Sequence, residues 1–79
     1  MRKIENLKID DMRIHVHDAC PNGVICIDWS ANIGWGRYDI VLGDDGMLHA
    51  YTECMDRGEE KEFTKAILAK LVDKIIVEE

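Results

Sequence analysis

The hydrophobic pattern of this chain changes period once, and that change limits its folds more than any other feature. Over residues 12–54 apolar and polar side chains alternate, whereas from Phe63 onward apolar residues return every fourth position. Alternation with β-branched and aromatic content indicates strands, and a four-residue spacing indicates an amphipathic helix. Strands first and one helix last lead to the α+β class. The expected architecture is an antiparallel β-meander of four strands, or five, with one C-terminal α-helix packed on one face.

The segments can be placed individually. In "MRIHVHD", Met12, Ile14 and Val16 share one face, and Arg13, His15 and His17 share the other. In "VICIDWS", Ile25, Ile27 and Trp29 alternate with Val24, Cys26 and Asp28; in "GRYDIVL", Tyr38, Ile40 and Leu42 alternate with Arg37, Asp39 and Val41. "ACPNG", "SANIG" and "GDDG" supply the turns, because proline presets φ while Asn and Gly tolerate positive φ. A three-residue "DDG" loop with Gly46 left-handed would oppose Leu42 to Leu48 and turn Leu48, Ala50, Thr52 and Cys54 toward the core. The small residues Ala50 and Thr52 would then let the helix approach closely. "DDM" at 10–12 is a further turn or a bulge, and residues 4–9 leave room for a separate strand. In the helix, Phe63, Ile67, Leu71 and Ile75 form the buried stripe with Ala66 beside it. "DRGE" reads as a capping box with Asp56 as N-cap and Glu59 three residues on. "IIVEE" either extends the helix or makes a short final strand.

Both tryptophans and four of the six glycines fall within residues 29–46. If Trp29 ends one strand and Gly34 begins the next after a four-residue loop, Trp29, Gly34, Gly36 and Tyr38 lie on the core face. The glycines make room for the indole, and the indole covers the backbone they expose. The same phase sends Trp35 to the opposite face beside Arg37. One helix covers one face only, so Trp35 is left for solvent or for a partner, and an indole is a common interface anchor.

Size and charge narrow the functional options. Seventy-nine residues form one α+β domain, residues 1–79. A chain of this length buries only about 60–65% of its unfolded surface. That suffices for one sheet layer and one helix, and argues against an enzyme with a walled cleft. The net charge of −6 disfavours direct binding to nucleic acid or anionic membrane and favours solubility or a basic protein partner. No apolar run approaches the roughly 18 residues of a membrane span, and the start "MRKIENLKIDD" has no apolar core of a signal peptide. A cytoplasmic protein is expected, without a cofactor. Three cysteines, Cys20, Cys26 and Cys54, are an odd number and read as thiols.

The open face would carry Arg13, His15, His17, Cys26, Asp28, Trp35, Arg37, Asp39, His49, Tyr51 and Glu53. Trp35, Arg37, Tyr51, Asp39 and His49 are the candidate partner-binding residues. No catalytic residue is assigned. The alternative is a metal-binding or enzymatic site on His15, His17, Cys26 and His49, since "HVH" puts two imidazoles on one side of a strand; no CxxC or HExxH accompanies them. A third reading is a homodimer, joined through the helix strip Leu68 and Val72 or through the open sheet face.

The run "WSANIGWGRYDIV", then "GMLHAYTECMD" and a helix with "FTKAILAKLVDKI", resembles small acidic proteins of phages and mobile elements of Gram-positive bacteria. The resemblance covers about residues 23–77. The group has no assigned activity, so it transfers no residue roles. It implies a context in which small acidic proteins act by binding and blocking a host or defence factor.

Overall fold

The computed structural model describes residues 3–17, 25–52, 55 and 58–78. The chain folds into β1 (Arg13–Val16), β2 (Ile25–Ala31), β3 (Gly34–Leu42), β4 (Leu48–Thr52) and α1 (Glu60–Val72). The strands pair antiparallel in the order β1-β2-β3-β4. This is the α+β meander that the change of period implies. Residues 4–9 do not add a strand: helical turns occupy Lys3–Asn6 and Ile9–Asp11, and "DDM" leads from the second of these into β1. No described helix is long and apolar enough to cross a membrane. The "ACPNG" turn, Val24, Glu53, Cys54 and Asp56 lie outside the described residues.

The β2–β3 turn is tighter than the sequence suggests. Trp29 pairs with Gly36 and Ala31 with Gly34, which leaves Asn32 and Ile33 in the turn where a four-residue loop was expected. Gly34 makes this closure affordable with φ +141°, a conformation that side chains beyond glycine rarely adopt. The register moves by two residues, an even number, so every side chain keeps its expected face. Asn32 also fastens the N-terminal segment to the hairpin tip. Its Oδ1 accepts from the Lys8 N–H at 2.8 Å, and its Nδ2 donates to the Asn6 carbonyl at 2.6 Å. The β3–β4 connection is as expected: Leu42 opposes Leu48 and Gly46 has φ +78°.

The core sits between the sheet and α1. Met12, Ile27, Trp29, Tyr38, Ile40, Phe63, Ala66 and Ile67 are buried, with Ile14, Val16 and Leu71 packed around them. Phe63 is the hub. The Trp29 ring meets it edge-on at 4.7 Å and the Tyr38 ring at 5.8 Å. Thr64 Oγ1 donates to the Glu60 carbonyl at 2.7 Å. The Tyr38 hydroxyl is therefore the donor in its own short bond to Thr64 Oγ1. Trp29 Nε1 has no acceptor among the described residues, so packing alone holds that ring.

Three expectations about the helix need correction. It begins at Glu60, with Glu59 at the N-cap position and no side-chain cap; the capping box does not form on Glu59. Glu59 is instead buried, 1% exposed, and its carboxylate accepts the Ile4 N–H at 3.3 Å. The cause is tertiary: the N-terminal segment lies over this end of α1 and offers a donor. The helix ends at Val72, so Ile75 leaves the stripe and is exposed, as are Ile76 and Val77. A 13-residue helix is about 20 Å long, while three strands span roughly 10–15 Å, so a further turn would have no sheet beneath it. Residues 75–78 form neither helix nor strand.

The third correction concerns β4. Leu48 and Ala50 point to the helix side, as expected, yet both are exposed, Leu48 at 70%. The helix crosses from β3, where Thr64 meets Tyr38, to β1, where Lys70 and Lys74 border Met12 and Ile14. Its axis leads away from β4, so Leu48 and Ala50 stay exposed, and only half-buried Thr52 lies near the helix start, where Glu60 lines a groove with it.

Candidate functional site

The antiparallel register sets the open face in rows. Arg13, Ser30 and Trp35 form one row, and His15, Asp28 and Arg37 the next. Cys26, Asp39 and Tyr51 form a third, joined by His17, whose backbone N–H donates to the Cys26 carbonyl at 2.9 Å. Val41 and His49 form the last. All five candidate partner-binding residues therefore share this face. Rows are about 7 Å apart, so Trp35 and His49 mark the ends of a strip roughly 20 Å long.

Trp35 is 79% exposed, and Tyr51 is also exposed. Between them, Arg37 Nε lies 3.5 Å from Asp39 Oδ1. A surface pair at that distance contributes at most about 1 kcal/mol. Arg37 is the wall between two shallow grooves. One, of about 360 Å³, is lined by Asp28, Trp29, Trp35, Gly36 and Arg37. The other, of about 410 Å³, is lined by Arg37, Asp39, Ala50, Tyr51, Thr52 and Glu60. Gly36, on the strand between Trp35 and Arg37, also lines the first groove.

The metal candidates are only partly brought together. The His15 and His17 rings meet edge-on at 5.1 Å, and His17 has Cys26 opposite. His17 Nε2 is 2.5 Å from Asp28 Oδ2. His49 is in a different row, with its Nε2 3.0 Å from Asp45 Oδ2. Among the described residues no three His, Cys, Asp or Glu side chains converge as a metal site would require. Asp45 has a pKa below the ordinary carboxylate value, chiefly because it accepts the Met47 N–H, with His49 as the second cause.

Sequence reasoning placed Arg13 on this face but did not rank it. The structure gives it a role in a third groove, of about 230 Å³, with Ile14, His15, Asp28, Trp29 and Ser30. Arg13 makes no ion pair with any described residue. The signal was present in the register, since Arg13 and Trp35 both face Ser30.

The fold and its rows of side chains define a two-layer α+β protein with one helix-covered and one open sheet face. Compared with family models, with curated proteins and with solved structures, the chain has no match.

Proposed function

We propose that this chain is a non-enzymatic protein-interaction module that docks through its open sheet face, with Trp35 as anchor and Arg37, Asp39, Tyr51 and His49 along the contact. The supporting observation is the position of Trp35, a side chain as large as any in the chain left exposed on a strand whose other face is core. Burying such a side chain is worth roughly 1.5–3 kcal/mol, and Trp, Tyr and Arg dominate interface energies. Acidic residues flank the strands of this strip, Asp10 and Asp11 before β1 and Asp44 and Asp45 after β3, and Glu60 lines the groove beside Arg37 and Tyr51. With a net charge of −6, they steer a basic protein toward the sheet. A cytoplasmic mobile-element protein that occupies a basic host or defence factor fits this reading.

The double substitution Trp35→Ala/Arg37→Ala tests it. Thermal stability should hold, while affinity for the captured partner falls by ~30-fold or more, the loss of one hot spot. Capture should also weaken at high salt. Unaltered capture by the double variant counts against the reading. The rival metal-binding or catalytic reading rests on the His15–His17 contact. A zinc titration that raises the thermal midpoint would favour it.

A further inference from the structure

All three histidines of the chain fall on the open sheet face. Strand phase puts them there. "HVH" sets two imidazoles on one side at a spacing of two, and His49 stands opposite Val41 on the same side. Their rings remain accessible, His15 and His49 exposed and His17 half-buried. His15 and His17 meet edge-on at 5.1 Å. Two of the three rings face carboxylates: His17 Nε2 is 2.5 Å from Asp28 Oδ2, and His49 Nε2 is 3.0 Å from Asp45 Oδ2.

The fixed charges around these rings cancel on the strands. His15 has Asp28 opposite and Arg13 two places before it, and Arg37 completes its row. His17 has Asp28 and, across the pair, Cys26. His49 has Asp45 beside it, and Asp39 lies in the neighbouring row, opposite Tyr51. Among the described residues this side of the strands thus holds two arginines, Arg13 and Arg37, and two aspartates, Asp28 and Asp39, a sum of zero while the imidazoles are neutral. The rim carries the acids Asp10, Asp11, Asp44, Asp45 and Glu60. From the end of α1, Lys70, Asp73 and Lys74 border Arg13. Imidazole is the side chain whose ordinary charge change falls between pH 8 and 5, whereas carboxylates ordinarily stay charged down to about pH 5. Three protons therefore take the strands from zero to +3 while the whole chain moves only from −6 to −3. Exposed charges more than about 8 Å away are largely screened at physiological salt, so the strip responds to its own histidines more than to distant acids.

We propose that the open face is an acid-triggered release surface: it holds a basic partner while its imidazoles are neutral and rejects that partner once they are charged. Asp28 is the one carboxylate in the two rows that hold Arg13, His15, Arg37 and Trp35. Imidazolium at His15 and His17 outnumbers it, so the ground beside the Trp35 anchor becomes cationic. Like charges set against each other across a contact are a strong source of rejection. The choice of a basic occupant rests on the docking reading above; the charge change does not.

Paramagnetic relaxation by two small nitroxide probes of opposite charge reads the potential at each proton without a partner. At about pH 7.5 the cationic probe should relax the open-face protons, the Trp35 indole N–H included, at least as strongly as the anionic one. At about pH 5 the anionic probe should lead by ~2-fold or more. Protons on the exposed side of α1, at Lys65 and Ala69, should change much less. In His15→Gln/His17→Gln/His49→Gln the open-face change should vanish. No change in the native chain, an equal change on α1, or a change that persists in the triple variant overturns the proposal. Should that variant fail to fold, the contrast between the open face and α1 in the native chain decides. Release is read with an immobilised oligolysine peptide: retention should fall ~10-fold between those two pH values in the native chain and far less in the triple variant. Retention indifferent to pH overturns release even where the potential inverts. Trp35→Ala/Arg37→Ala keeps all three histidines, so its failure to weaken capture would count against the docking reading alone.

Discussion

Trp29 and Trp35 are six residues apart in sequence and lie on opposite sides of one sheet. The first is 3% exposed and the second 79%. Both belong to the same hairpin, and each has glycine nearby: Gly36 pairs with Trp29 across the strands and follows Trp35 along one. What differs is the face each strand phase gives them. Trp29 meets Phe63 and becomes core, while Trp35 lies beside Ser30 above a groove. Identical side chains thus acquire opposite roles from position alone, and the turn between them fixes which is which.

Substitution can break this comparison most sharply. Trp29→Ala should destabilise the fold by about 3–5 kcal/mol, a large share of the roughly 5–15 kcal/mol available to a domain. Trp35→Ala should stay within about 0.5 kcal/mol of the native chain. Urea denaturation of both variants checks the pair, and equal losses would mean that the two rings are not on different faces. The next effect sharpens the view of how the covered side is closed. Glu59→Ala removes the acceptor of the Ile4 N–H at the start of α1 and should cost about 1–3 kcal/mol. Faster amide exchange at Ile4 should accompany it; unchanged exchange would show that another group serves that donor. The smallest effect belongs to the open side. The Asp45 pKa is lowered in the folded chain, so its contribution is present above the ordinary carboxylate range and is lost as pH falls through the lowered value. The Met47 amide proton, followed by NMR in an acid titration, should move with a midpoint below that of an unperturbed aspartate. In Asp45→Asn this movement should vanish.

Much of this architecture could be read from the residues, and the failures have physical causes. Alternation gave the face of every described strand residue, because period 2 ties each side chain to its neighbour's opposite. That certainty survives a mistake in loop length, as the Ala31–Gly34 closure shows: shifting by two changes partners but not faces. The pairing of Leu42 with Leu48 was legible because Gly46 marks where a three-residue loop needs positive φ. Leu48 and Ala50 exposed what a pattern cannot report. Apolar alternation names the side a residue points to, and only the path of α1 decides which part of that side is covered. Glu59 was misread for a related reason. Spacing suggested a local partner, whereas the true donor, Ile4, is 55 positions away. On the candidate face, Trp35, Arg37, Asp39, Tyr51 and His49 followed from strand phase. The grooves on either side of Arg37 did not, since they depend on how neighbouring side chains lie.

The molecule measures 39 × 29 × 20 Å. The shortest of these is one sheet and one helix deep, so the chain is a tile rather than a ball. A tile has no interior remote from water: Ile27 and Tyr38 are shielded on one side by α1 and on the other only by their own strand. A partner that lands on the open face therefore rests one backbone away from the core, and occupancy there should be felt by the Phe63 cluster as added rigidity without any change of shape.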